Sequence, residues 1–192
     1  MRKLIASEFL TLDGVMEDPG GAEGFKYGGW SLESYNSQYS KYKYDELFES
    51  DALLLGRKTY EGFSAAWPEY EKEDDTGFAR RMNALPKYVV SSTLKKAEWE
   101  NSHLIKDNIG EEAAKLKAQS GQNILIAGSS VLIDWLSKLD LIDEYRLMIH
   151  PVVLGLGKPL FKTRDEKLKL KLLHSQVFDS GIIVLHYAPV RQ

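Results

Sequence analysis

Apolar residues occur in short runs that glycine, proline and hydroxyl clusters interrupt, and the runs follow two different periods. Lys3 to Leu12 alternates apolar with polar residues and ends at Asp13-Gly14, which predicts a strand and its turn rather than a leader segment. Ala52 to Leu55 is apolar throughout, as a strand covered on both faces requires. Gly56 stops it where Arg57, Lys58 and Thr59 open an amphipathic helix expected to end near Trp67-Pro68. Two further buried strands follow the same form, Lys87 to Val90 opening onto Ser91-Ser92-Thr93, and Ile124 to Ala127 opening onto Gly128-Ser129-Ser130 and a helix from Val131 to Leu139.

Between these lie weaker signals. Gly14 to Trp30 holds Pro19 and six glycines, which predicts a mobile loop, either a solvated connection or a lid. Ser31 to Ser50 reads as a helix capped by Ser31, its Tyr35, Tyr39, Tyr42 and Leu47 at helical spacing forming either a core face or a stacking platform. The acidic stretch Glu69 to Asp75 reads as a solvated loop, Phe78 to Leu85 and Glu111 to Gln119 as helices, and His103 to Ile105 as a short strand. The last third alternates without helical spacing, in Glu144 to Ile149, Leu168 to Phe178 and Ile182 to Tyr187, which predicts a hairpin added antiparallel to a parallel core. The fold class is therefore α/β with a mixed, mostly parallel sheet in a single domain over residues 1–192, with no linker or repeat.

Composition narrows the chemistry. The chain has 192 residues, 43% of them hydrophobic and 11% aromatic, enough for a full core. A net charge of -3 gives no general attraction to nucleic acid or to an anionic membrane, and without cysteine neither disulfides nor thiolate chemistry is available. With no apolar stretch of spanning length, a cytoplasmic protein is expected. No His/Asp/Glu grouping has metal-ligand spacing, and GxGxxG after a strand, GxxxxGK[ST] and G-x-S-x-G are all missing. Gly155-Leu156-Gly157-Lys158 precedes Pro159 and reads as a tight turn.

What remains is the repeated junction of buried strand with small, hydroxyl or basic residues. In an open α/β sheet ligands bind at the carboxyl ends of parallel strands, and a strand running into a helix directs free N–H groups outward, so three such ends predict one cleft for a phosphate-bearing ligand. Arg57 can grip a phosphate with two parallel N–H groups. Ser91, Ser92 and Thr93 serve equally as turn or cap residues. Asp13 is read as a turn residue or as a proton donor, and His150 as a hydrogen-bonded structural histidine or an acid/base.

The segments LLLGRKTYEGF, KYVVSSTL, ILIAGSSVL and DEYRLMIHPVVLGLGKPLF, in this order, resemble the dihydrofolate reductase superfamily, and most of all its branch of riboflavin-biosynthesis reductase domains and small stand-alone relatives. The resemblance implies a three-layer αβα fold and an NADPH-dependent oxidoreductase. It places Gly56, Arg57, Lys58 and Thr59 at the cofactor's phosphates and Ser91, Ser92 and Thr93 at the adenosine ribose and its 2'-phosphate. Ala127, Gly128, Ser129, Ser130, Val131 and Leu132 fall under the pyrophosphate, with Ala127 where relatives often have a first glycine, and Leu12, Asp13 and Gly14 start the loop over the nicotinamide. On the substrate side it points to Trp30, Glu33 and Tyr35, with Tyr35 or Asn36 where folate reductases carry a carboxylate. That exchange argues against folate reduction. The implied activity is reduction of a small heterocycle or carbonyl compound, with reduction of 5-amino-6-(5-phosphoribosylamino)uracil as the named reaction, although these 192 residues leave no room for the deaminase domain that the riboflavin enzyme usually carries. The alternatives are a stand-alone reductase of another substrate (pterin, quinone or aldehyde) and a catalytically silent NADPH-binding dimer. The resemblance also implies a homodimer, with the apolar C-terminal strands as a contact.

Overall fold

A computed structural model describes residues 1–163 and 167–191. The strands are β1 (Leu4–Thr11), β2 (Ser50–Gly56), β3 (Lys87–Val90), β4 (Ser102–Ile105), β5 (Asn123–Ile126), β6 (Glu144–His150), β7 (Leu170–Val177) and β8 (Ile183–Pro189). The helices are α1 (Ser37–Phe48), α2 (Arg57–Tyr70), α3 (Phe78–Ala84), α4 (Ile109–Ala118) and α5 (Ser130–Lys138). The strands form one sheet in the order β4-β3-β2-β5-β1-β6-β8-β7. Every pairing is parallel except those of β8 with β6 and with β7, so the C-terminal hairpin extends a parallel core.

Residue alternation in the central strands explains the three layers. Leu4, Ala6 and Leu10 of β1, Ala52 and Leu54 of β2, and Ile124 and Ile126 of β5 pack with Ala113 and Leu116 of α4 and Leu132, Ile133 and Leu136 of α5. The intervening Ile5, Leu53, Leu55 and Leu125 face the other way, onto Leu47 of α1, Tyr60 of α2 and Met82 of α3. A continuous apolar run is what a strand needs when helices cover both its faces.

Several boundaries differ from the sequence expectation. The segment from Ser31 is a 3-10 turn (Leu32–Ser34) and then extended chain before α1, whose cap is Asn36, with its Oδ1 accepting from Tyr39 N at 2.9 Å. The Ser31 hydroxyl is instead spent on Pro19 O at 2.7 Å, and Ser50 opens β2. α2 runs through Pro68, which costs one late backbone bond, while the Trp67 ring packs against Phe63, Tyr70 and Phe78. The acidic stretch is more than a solvated loop, because the Asp74 carboxylate accepts from Ala79 N at 2.7 Å and Gly77 N at 3.2 Å and so caps α3.

The glycine-rich loop is internally bonded rather than loose. Asp18 is 2% exposed, and its carboxylate accepts from the amides of Glu23 (3.0 Å) and Phe25 (3.1 Å). A side chain at Gly28 would meet Asp18 Oδ2 at 2.3 Å, which is why glycine stands there. Val15 bridges to Pro159, so the turn at Gly155 to Lys158 packs against this loop.

Candidate functional site at the ends of four parallel strands

The sheet order sets β3, β2, β5 and β1 side by side, and all four run the same way, so the segments that follow them emerge along one edge. Gly56 pairs with Val90 across β2 and β3, which puts Arg57 beside Ser91. The β2 and β5 ends touch directly, with Gly56 N donating to Gly128 O at 3.1 Å. The peptide between Gly128 and Ser129 is cis, Gly128 has φ +89°, and a Cβ on Gly128 would meet Thr59 Oγ1 at 2.8 Å. Arg57, Ser91 and Gly128 are therefore neighbours on one rim, as the strand grammar predicts.

Two helices start on this rim without a side-chain cap. α2 follows Gly56 and α5 follows Ser129, neither N-terminus receives a side-chain hydrogen bond, and neither has an acid in its first turn. Their first N–H groups and the positive ends of both helix dipoles are left for an anion. α1 and α3, by contrast, are capped by Asn36 and Asp74. Arg57 and Lys58 are exposed beside α2, and Arg57 Nη1 donates to both Glu61 oxygens at 2.9 and 3.0 Å. That surface ion pair is weak enough for a phosphate to compete with it.

The hydroxyl segment divides in two. Ser91 is buried and its Oγ accepts from Leu94 N at 2.9 Å and Thr93 N at 3.2 Å, a turn-closing use, whereas Ser92 and Thr93 are exposed. Ser130 is buried at the first turn of α5 and Val131 is 63% exposed, but Leu132 is 5% exposed and belongs to the core against the sheet.

A family model, the RibD C-terminal domain, matches residues 2–184. The chain belongs to that family. It is 33% identical over 187 residues to the Bacillus subtilis protein YyaP, covering 97% of this chain and 94% of that one. The crystal structure of a putative riboflavin biosynthesis protein from Shewanella sp. PV-4 superimposes with a TM-score of 0.74 at 25% identity, covering 98% and 99% of the two chains. Dihydrofolate reductase from Enterococcus faecalis, solved in complex with NADP(H), shares the fold with a TM-score of 0.61 at 16% identity, covering 97% and 96%. The RibD C-terminal domain is thus a dihydrofolate reductase-like three-layer fold.

In this RibD C-terminal domain the candidate catalytic and substrate residues differ in exposure and bonding. Asp13 holds the turn below it: its carboxylate accepts from Thr11 Oγ1 (2.6 Å), Gly155 N (2.7 Å) and Leu154 N (3.3 Å). The Thr11 hydroxyl first, then those amides, hold its pKa below the usual carboxylate range, which suits the turn-holding one of its two readings. Leu12, by contrast, is 66% exposed at the end of β1. Trp30 is buried with Nε1 donating to Glu17 O at 2.9 Å, while Glu33 and Tyr35 lie exposed. A run of rings joins Tyr35 to Trp30 through Tyr39, Phe9 and His150. His150 is fully buried in that run, and burial pushes its pKa down to about 4. It is structural but not hydrogen-bonded: neither ring nitrogen has a partner among the described residues.

Glu46 and Glu8 are buried acids that the sequence reading did not single out. Glu46 of α1 is 1% exposed and accepts from Ser7 Oγ at 2.7 Å and from Lys43, with Arg146 at 3.9 Å. Glu8 of β1 is 8% exposed, and its Oε1 has no partner among the described residues. A signal for Glu8 was present, since a carboxylate between Ala6 and Leu10 breaks an otherwise apolar strand face. A groove of about 600 Å³ lies elsewhere, along α2, and its Glu71, Glu98 and Glu100 against Lys96 make it unsuited to an anion.

Proposed function

We propose that this protein is an NADPH-dependent oxidoreductase that reduces a small heterocyclic or carbonyl substrate, with 5-amino-6-(5-phosphoribosylamino)uracil reduction as the named reaction. The observation that carries this reading is the order of groups along the rim. Exposed Ser92 and Thr93 follow β3, Arg57 and the uncapped start of α2 follow β2, the uncapped start of α5 follows β5, and Leu12 follows β1. Adenosine 2'-phosphate, pyrophosphate and nicotinamide occur in that same sequence along NADPH, and four adjacent strands at about 4.8 Å spacing span roughly 14 Å.

The residues fit the cofactor. Glycines at 56 and 128 let the two turns close on Ser129 and Thr59, where a Cβ would clash, and uncapped amides meet an acidic ligand with no side-chain anion nearby in either first turn. Arg57 and Lys58 would hold phosphate charge, Ser92 and Thr93 the ribose end, Gly128 to Ser130 the pyrophosphate through backbone donors, and Leu12 would shield the nicotinamide from water. When bound, the cofactor supplies a hydride from its nicotinamide ring. The chain contributes orientation and a dry floor. A carbonyl acceptor needs no pterin-anchoring carboxylate, which agrees with exposed Tyr35 at that place. We further propose a cytoplasmic homodimer, in which two copies meet through the exposed apolar C-terminal strands.

Titration calorimetry with NADPH and NADH, followed by an oxidation screen at the nicotinamide absorbance against ribosylaminopyrimidine, pterin, quinone and aldehyde substrates, tests the reading. Preferential NADPH binding with turnover supports it. Preferential binding with no turnover on any of them identifies a silent NADPH-binding protein, and no binding removes the cofactor site.

A further inference from the structure

Glu8 sits where an acid is costly. It shares a strand face with Leu4, Ala6 and Leu10, which pack into the core under α4 and α5, and a leucine there would continue that face without desolvating a charge. The pairing of β1 with β5 stops at Ala6 and Ile126, so the flank of β1 at Glu8 is bordered by the Gly128 turn instead of by another strand. Its partner on β6 is Leu147, which carries no charge. Desolvation raises its pKa from 4.5 to about 8, opposed by Lys43 of α1 and by a hydrogen bond from the Gly128 amide, and reinforced by Glu46 of α1. Near neutrality the group is a carboxylic acid, with one donor and an acceptor on the same plane.

The reading of the rim brings a nicotinamide to β1, next to the pyrophosphate turn at Gly128. The ring's distinguishing polar group is a primary carboxamide, which presents one acceptor and a donor pair. A neutral carboxyl matches it with two parallel hydrogen bonds, while a carboxylate can only accept.

We propose that Glu8 recognises the nicotinamide carboxamide, its O–H donating to the amide oxygen and its carbonyl oxygen accepting from the amide N–H. This inference rests on the dinucleotide reading above and adds to it a residue that selects for the carboxamide and makes cofactor affinity depend on pH. A glutamine at position 8 keeps a donor and an acceptor at all pH values; a leucine keeps neither.

The test is calorimetric titration of wild type, Glu8→Gln and Glu8→Leu with NADPH and with its 3-acetylpyridine analogue, which lacks the amide N–H2, near pH 7 and near pH 9, each variant being checked by thermal melting. Wild type should lose about tenfold in NADPH affinity over that range relative to Glu8→Gln, which controls for every other titrating group including the 2'-phosphate. Wild type should prefer NADPH to the acetyl analogue by about tenfold near pH 7, and Glu8→Leu should lose that preference. In the absence of cofactor, infrared difference spectra of wild type minus Glu8→Gln should show a protonated carboxyl band near pH 7 that fades toward pH 9. Parallel pH profiles for wild type and Glu8→Gln, an unchanged preference in Glu8→Leu, or no such band would overturn the assignment while leaving the dinucleotide site standing. Failure of wild type to bind NADPH at either pH would remove the site and the assignment with it.

Discussion

The amide of Gly56 donates to the carbonyl of Gly128 at 3.1 Å, so the ends of β2 and β5 are joined backbone to backbone. Nothing larger than a hydrogen fits at this junction: a Cβ on Gly56 would lie 2.6 Å from Ser129 Oγ and 3.0 Å from Ser129 N.

Gly56→Ala should therefore part the two turns. We expect a destabilisation of about 1–3 kcal/mol in urea unfolding, as for an overpacked site, and a loss of roughly tenfold or more in NADPH affinity. Gly128→Ala should cost more, because its φ of +89° adds backbone strain to the 2.8 Å approach of Thr59 Oγ1. Unchanged affinity in both variants would show that the two turns do not act on one ligand.

Arg57→Ala should separate ligand effects from stability effects. The ion pair with Glu61 is about half exposed on both sides, so its loss should change the unfolding free energy by less than about 0.5 kcal/mol. A charge-assisted bond to the cofactor's phosphates is worth about 1.5–3 kcal/mol, or roughly 10- to 150-fold in affinity. If Arg57 reads the 2'-phosphate, NADPH should weaken by that amount and NADH hardly at all, and equal weakening of both would move Arg57 to the pyrophosphate.

The strand grammar was legible because burial on two faces imposes a local pattern: Ala52 to Leu55 and Ile124 to Ile126 could hardly be anything but central strands. Glycine at 56 and 128 was legible for the same reason, as the punctuation where such strands stop. The partners of Asp13 were not, because they are the amides of Leu154 and Gly155, more than 140 positions away along the chain. The firmness of the glycine-rich loop was hidden too. Composition registers six glycines as freedom, whereas the loop is tied to the buried Asp18 carboxylate, a tertiary fact about one side chain. Leu132, which the resemblance sets under the pyrophosphate, turns its side chain into the core by the helical period.

The C-terminal hairpin should govern assembly. β7 is the outer strand of the sheet, with one edge unpaired, and exposes Leu172, Leu173 and Val177, with Ile183 beside them on the paired strand β8. Light scattering after size exclusion should give the mass of a dimer for wild type, and Val177→Lys, at a position 67% exposed in the single chain, should shift it toward monomer without loss of secondary structure. A wild-type monomer at micromolar concentration would end the dimer proposal.

His150 and Glu8 should tilt the pH dependence of stability in opposite directions. The native His150 resists protonation down to about pH 4, while the unfolded chain takes that proton below its ordinary 6.5, so its contribution is lost as pH falls through this window. The native Glu8 keeps its proton up to about pH 8, while the unfolded chain releases it above 4.5, so its contribution is lost as pH rises from 4.5 to 8. Between about pH 4.5 and 6.5 the two slopes offset each other, and wild type should be nearly flat there with respect to this pair. His150→Phe fits the surrounding Phe9, Trp30 and Tyr39 rings and should uncover the Glu8 slope, with unfolding free energy falling steadily from about pH 4.5 to 8. Glu8→Gln should uncover the other, falling as pH drops below about 6.5, each by on the order of 1–3 kcal/mol across its window. Urea unfolding at closely spaced pH values measures both, and two variants that simply track the wild-type curve would show that neither group holds an unusual proton in the native state.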